Sequence, residues 1–155
     1  MASREAAAAG VHITFSPMVD YVRDARWGRV MESCGEDPLL NSIMGVTQVN
    51  AFRGDDLKNK SNLATCVKHF AAYGAAESGK DYNTVELSEH TLRELYLPAY
   101  KACLEAGADM LMPSFNVLNG VPSIANKWLM RKILKEEWMF NPLVISDYNA
   151  IGELI

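Results

Sequence analysis

Four short segments, each apolar, β-branched or aromatic, are spaced along the 155 residues with helical patterns between them. They are VHITFSPMV (11–19), CVKHFAA (66–72), DMLMPSF (109–115) and PLVISD (142–147). Strands separated by helix-length connections pair in parallel, with right-handed crossovers, and this constrains the fold more than any other feature. The helical patterns carry their own stops. An Ala-rich run, Ala6 to Ala9, ends at Gly10. DPLLNSIMGVTQVNAFRG places Pro38 at the first helical position and Gly54 after the end. In SEHTLRELYLPAYKACLEAGA, Ser88 is the expected cap and Gly107 the stop. Leu92, Leu95, Tyr96, Tyr100 and Cys103 recur there at helical spacing, and Pro98 predicts a kink or break. ANKWLMRKILKEEWMF is capped by Asn126. Trp128, Leu129, Ile133 and Leu134 form its apolar stripe, and Lys127, Arg131, Lys132, Lys135 and Glu136 are expected to face water.

The expected class is therefore α/β, with parallel strands alternating with helices. A closed (β/α)8 barrel takes about 250 residues, so four strands correspond to about half of a TIM-type barrel. An open doubly wound sheet would suit the length, but no G-x-G-x-x-G or G-x-x-x-x-G-K-S/T loop follows any strand. The chain begins within a helix and stops just past a strand-end loop, so part of a larger barrel is expected, without a second domain.

A net charge of -4 gives no basic surface for nucleic acid or an anionic membrane. No apolar run is long enough to span a bilayer. Cys34, Cys66 and Cys103 are odd in number and widely spaced, which fits neither a disulfide framework nor a zinc site. Buried thiols in a reducing compartment, the cytoplasm, are expected instead.

In parallel α/β folds ligands meet the C-terminal ends of the strands. After the first strand come Asp20, Arg23, Asp24, Arg26, Trp27, Arg29, Glu32, Glu36 and Asp37. The second carries Lys68 and His69, then Tyr73, Glu77, Lys80 and Asp81. The third ends in Met112, Ser114, Phe115 and Asn116, and the fourth in Asp147 and Tyr148. Carboxylates, hydrogen-bonding cations and aromatic faces together suit a polyhydroxylated ligand. A phosphate would want a glycine nest, and a metal a tighter cluster of ligands. RDARWGR also reads as a salt-bridged loop, with Asp24 on Arg26 or Arg29 and Trp27 as a core plug. Lys68 and His69 are adjacent in a strand, so they should point to opposite faces unless the strand bends. A lysine inside a barrel can also form a Schiff base.

Four stretches taken together, FSPMVDYVRDARWGRVMESCGEDPLL, CVKHFAAYG…GKDYNTVELSE, ADMLMPSFNVLNGVPS and EEWMFNPLVISDYNAI, resemble the N-terminal barrel domain of family 3 glycoside hydrolases, the β-glucosidases and β-xylosidases. The resemblance runs through nearly the whole chain, in order. It implies a retaining β-glycosidase that removes terminal non-reducing β-D-glycosyl residues through a covalent glycosyl-enzyme, without metal or organic cofactor. It implies that Asp147 is the nucleophile, that Arg29, Lys68 and His69 hold sugar hydroxyls near it, and that Lys80, Met112 and Tyr148 contact or line the sugar site. The substrate would be a β-linked oligosaccharide or an aryl or alkyl glycoside. The departures are specific. Ala25 stands where the family usually has proline, and Met139 where it usually has glycine, at a corner a methionine would strain if φ were positive. The family's earlier substrate-binding Asp and its downstream general acid/base have no counterpart in these residues. KHFAAYGAA lacks the histidine loop of the N-acetylglucosaminidase branch. Alone, the 155 residues are expected to be inactive. Two other readings are a non-catalytic sugar-binding remnant and a Schiff-base lyase using Lys68.

Overall fold

The computed structural model describes residues 1–141 and 143–155. Helix α1 (Ala2–Ala8) closes at Gly10, whose φ of 87° lets the Val11 amide reach back to the Ala6 carbonyl. Strand β1 (Ile13–Thr14) is followed by α2 (Pro38–Arg53) and β2 (Ala64–Phe70). Then come α3 (Glu89–Thr91), a π-helical stretch Leu92–Tyr96, α4 (Pro98–Glu105) and β3 (Met110–Pro113). A hairpin of β4 (Val117–Leu118) and β5 (Val121–Pro122), a π-helix Trp128–Glu137 and β6 (Leu143–Val144) complete the order. The main sheet is parallel, in the order β1-β2-β3-β6. Parallel strands alternating with helices on one face are the arrangement of half a (β/α)8 barrel, with β1 and β6 at the two edges.

The helix ends follow the sequence signals. The Asp37 carboxylate accepts the Leu39 and Leu40 amides at 2.8 and 3.0 Å, Pro38 follows, and Gly54 ends α2 at φ 56°. Ser88 accepts the Thr91 amide at 3.1 Å, and Asn126 accepts those of Trp128 and Leu129. Before Pro98 the helix widens. The Leu97 amide reaches Leu92 at 2.9 Å, one residue further back than in an α-helix, and the ring then starts α4 as its first residue. Lys135 departs from expectation: it is half-buried, with its ammonium 5.6 Å from the centre of the Phe140 ring.

The second strand has the expected length but lies two residues earlier, at Ala64–Phe70, while the first and third are shorter than the sequence suggested. Of 11–19 only Ile13–Thr14 forms a ladder, with one more bridge from Met18 to Lys68. Pro17 has no amide to donate, so this segment offers β2 the carbonyls of Ser16 and Pro17. The strand expected over 142–147 begins at Pro142, which lies outside the described residues; pairing is seen at Leu143–Val144. The β4–β5 hairpin was not anticipated.

The sheet separates two apolar layers. On the helix side Val67, Phe70 and Leu111 pack with Val49, Leu92, Tyr96, Tyr100, Cys103, Leu129, Ile133 and Leu134. Each fully buried aliphatic side chain there stabilises the fold by about 1.5–3 kcal/mol. Gly45 lets α2 approach α4: a Cβ there would lie 2.5 Å from the Cys103 sulfur and 2.7 Å from Val19. On the other side Cys66, Met110 and Met112 form a small inner cluster with Ala64 and Ile145. The cysteines are free. Burial pushes the Cys66 and Cys103 thiols up to about 12, which leaves them unreactive.

Candidate active site

Alternation along the strands decides which side chains reach the inner face. Cys66 and Lys68 lie on that face of β2, Met110 and Met112 on that of β3, and Ile145 leads to Asp147 three residues beyond β6. By the same alternation His69 should point toward the helices. It does not, because β2 slips against β3 between Lys68, opposite Met112, and Phe70, opposite Pro113. The Lys68–His69 and Phe70–Ala71 peptide bonds are both cis. The register slip re-aims the side chain, and the His69 Nε2 atom stands 3.6 Å from Asp147 Oδ2. Ser114 Oγ and the Asn116 side-chain amide donate to the Ala71 carbonyl at 3.1 and 3.4 Å, and so satisfy backbone that the slip leaves unpaired.

Around this point the polar groups form two sets. In the first, Arg29 makes a bidentate pair with Glu32, at 2.7 and 2.9 Å, and lies 5.7 Å from the centre of the Tyr73 ring. Lys68 Nζ is 3.9 Å from the same Glu32 carboxylate. Arg29 is the main reason the Glu32 carboxyl is held below its usual range, with Lys68 adding to it. In the second set, His69 lies between Asp147 and Asp20. Its Nδ1 is 2.8 Å from Asp20 Oδ2, and its ring meets that of Tyr73 edge-on at 5.4 Å. Asp147 Oδ1 accepts the amide of Tyr148 at 2.7 Å.

The sequence expected Arg29 and Lys68 beside Asp147. Both engage Glu32, and among the described residues no salt bridge joins either to Asp147, although Lys68 and Asp147 both act on the Cys66 thiol; His69 Nε2 faces Asp147 at 3.6 Å. Met112 is buried in the inner cluster, beneath the strand ends. Lys80 is exposed on the loop after Gly79, and Tyr148 is 87% exposed beside Asp147, joined to it through its backbone amide alone. Trp27 is the core plug expected of RDARWGR, packed with Met18, Val22 and Tyr73. The Arg26 guanidinium and amide hold the Asp24 carboxyl down at about 2. The Trp27 indole donates to Asp81 at 2.9 Å, which ties the 24–29 loop to the 77–83 loop.

Asp20 and Glu32 stand among the strand-end residues of the sequence without a role of their own, and Tyr100 only in a helical apolar stripe. Asp20 did carry a signal: SPMVD, an acid closing an apolar run, repeats the pattern of LVISD at Asp147. Tyr100 sat within a helical apolar stripe, where only the need of a buried phenol for a partner marks it. A depression at the opposite end of the sheet, lined among others by Arg53, Lys101, Asp109, Glu137, Trp138 and Phe140, also mixes charges with aromatic faces, but its Asp109 and Glu137 are already paired with Arg53 and Arg93, and it lies at the N-terminal end of β3, away from the strand ends that carry Asp147. Among the described residues no group of His, Cys, Asp and Glu could hold a metal ion.

Residues 1–155 match the model of the glycosyl hydrolase family 3 N terminal domain. The chain belongs to that family. It is 49% identical over 151 residues to the periplasmic beta-glucosidase of Salmonella typhimurium, an alignment covering 97% of this chain and 20% of that protein. It is 40% identical to a beta-xylosidase of Formosa agariphila, covering 98% and 22%. The crystal structure of a beta-glucosidase from Listeria innocua superimposes with a TM-score of 0.96 at 54% identity, over 99% of this chain and 22% of that one. The same Listeria enzyme has been crystallised with glucose, and a mutant of it with laminaribiose. The chain thus spans about a fifth of the length of these relatives.

Proposed function

We propose that these residues form the nucleophile half of a retaining β-glycosidase site of β-glucosidase type. The observation that carries this is Asp147. Its carboxylate stands at a C-terminal strand end, and one oxygen, facing His69 at 3.6 Å, makes no hydrogen bond among the described residues. Asp147 attacks the anomeric carbon and displaces the aglycone, and the glycosyl-enzyme ester is then hydrolysed by water. A second carboxyl group about 5–5.5 Å away protonates the leaving group and later activates that water. In this reading it comes from outside these 155 residues.

Arg29, Lys68 and His69 supply donors around the sugar ring, in contacts that tighten as the ring flattens toward an oxocarbenium ion. Glu32 keeps Arg29 and Lys68 side by side. Lys80 and Tyr148 line the mouth of the site and Met112 its floor. The names of the relatives, β-glucosidase and β-xylosidase, and the glucose and laminaribiose complexes of the Listeria enzyme favour a β-linked gluco- or xylo-configured substrate.

The test is Asp147→Gly in the natural polypeptide that contains these residues, assayed on a nitrophenyl β-glucoside. Hydrolysis should be lost, and azide should restore nitrophenol release with an α-glucosyl azide as product. Turnover near the wild-type rate without azide overturns the assignment.

A further inference from the structure

His69 is clamped on three sides by two side chains from other parts of the fold. Its ring Nδ1 and its main-chain amide both point at Asp20 Oδ2, at 2.8 and 3.1 Å. Its carbonyl accepts from the Tyr100 hydroxyl at 2.6 Å, and the same hydroxyl lies 2.8 Å from Asp20 Oδ1. Asp20, His69 and Tyr100 are each 1% exposed. An ionised carboxylate is acceptor-only, so the His69 amide and ring Nδ1 both donate to Asp20 Oδ2, while the single proton of the Tyr100 hydroxyl is shared between Asp20 Oδ1 and the His69 carbonyl. The Nδ1 proton is therefore pinned on Asp20 whichever charge the ring carries. The only ring nitrogen left to face the strand ends is Nε2, on the side of Asp147. Tyr100 remains a donor, since burial first and the Asp20 charge second raise its phenol well above the ordinary range.

We propose that Asp20 and Tyr100 are positioning residues: they fix the tautomer and ring plane of His69 so that Nε2 meets one particular sugar hydroxyl beside Asp147. This rests on the reading of the site as a glycosidase centre. Neither residue touches substrate, so each acts only through His69. Burial alone would not arrange this. A buried histidine needs a partner for its ring, but here amide, carbonyl and ring are all held, and the free nitrogen is the one aimed at the carboxylate expected to react.

The experiment uses the natural polypeptide, with Asp20→Ala, Tyr100→Phe, His69→Ala and the Asp20→Ala/His69→Ala double variant. Each is assayed on a nitrophenyl β-glucoside and on the analogues lacking one hydroxyl each. Asp20→Ala should lower kcat/KM about 10–100-fold, the loss of one hydrogen bond to a hydroxyl, and Tyr100→Phe about 2–10-fold. Both losses should vanish on one analogue, the one on which His69→Ala is also silent, and Asp20→Ala should cost nothing further once His69 is gone. A merely structural role gives equal losses on every analogue and additive effects, and that result overturns the proposal. If Asp20→Ala does not fold, Tyr100→Phe carries the kinetic arm, and the ring 15N shifts of His69 in the unaltered protein carry the other. A proton on Nδ1 is expected; its absence overturns the proposal. Should the unaltered protein cleave no glycoside, the glycosidase reading fails on its own, and the 15N shifts still decide whether Asp20 holds the ring.

Discussion

Asp109 and Asp147 flank strands of one sheet at its two ends, and their surroundings differ in kind. Asp109, just before β3, is fully engaged: Arg53 Nε lies 3.1 Å from one oxygen, and the Thr65 amide and hydroxyl lie 2.9 and 3.3 Å from the other. Asp147, beyond β6, takes one short bond from its own neighbour's amide and turns its second oxygen to His69 at 3.6 Å, beyond hydrogen-bonding reach. A carboxylate whose bonds are all made holds elements together. One with an uncommitted oxygen, beside groups that are themselves fixed, is available for chemistry. The same division between a stabilising N-terminal face and a reacting C-terminal face is general among parallel barrels.

The comparison breaks first at Asp147. Its replacement by glycine should cost a factor on the order of 10⁵ in aryl-glucoside kcat while shifting the urea midpoint little; a loss of stability instead would make it another Asp109. At the other end, Asp109→Ala should lower stability by about 2–3 kcal/mol, since it strands the Thr65 amide and the Arg53 charge. Denaturant melts would measure this, and the kcat of the folded enzyme should stay unchanged. Arg29→Lys keeps the charge but loses the paired bonds to Glu32. A fall of about 10-fold in kcat/KM with an unchanged melt would place it with Asp147. The smallest effect belongs to Met139, which lines the same depression as Arg53 and Asp109 and sits at φ 55°. Met139→Gly should raise stability by about 1 kcal/mol, relieving a left-handed backbone that glycine adopts freely, with no change in turnover. An unchanged or lower melting temperature would show that its side chain compensates for the backbone.

What was legible in the sequence was whatever neighbours along the chain dictate. Asp37-Pro38 and Gly54 marked both ends of α2, and the alternation of segments gave a parallel sheet. The ends of Pro-containing strands were not legible, because the loss of one donor at Pro17 shortens a ladder that composition alone extends. Asn119-Gly120, at φ 49° and 81°, is the strongest short hairpin signal a sequence offers, yet the two-residue strands on either side are too brief to show an alternating pattern. The π-helical turns leave no mark of their own in composition. At the site, Asp147 stood out because a charge ending an apolar strand is conspicuous. That Asp20 would hold His69 depends on a slip between Lys68 and Phe70 that only the paired strands reveal, and that Lys68 would reach Glu32 depends on a contact between residues 36 apart in the chain. Met139 was flagged by the usual glycine at its position, and the backbone there is indeed left-handed.

Of the three tryptophans, Trp128 and Trp138 pack at the helix-side core. Trp27 lies elsewhere, buried against Tyr73 with ring centres 5.1 Å apart, its indole bonded to Asp81 and Tyr73 in turn against His69. The chain therefore carries its own fluorophore one ring away from the His69–Asp147 pair. Any ligand that shifts the 77–83 loop or the His69 ring alters the surroundings of that indole, and an emission titration can follow occupancy of the site even in variants too slow to assay.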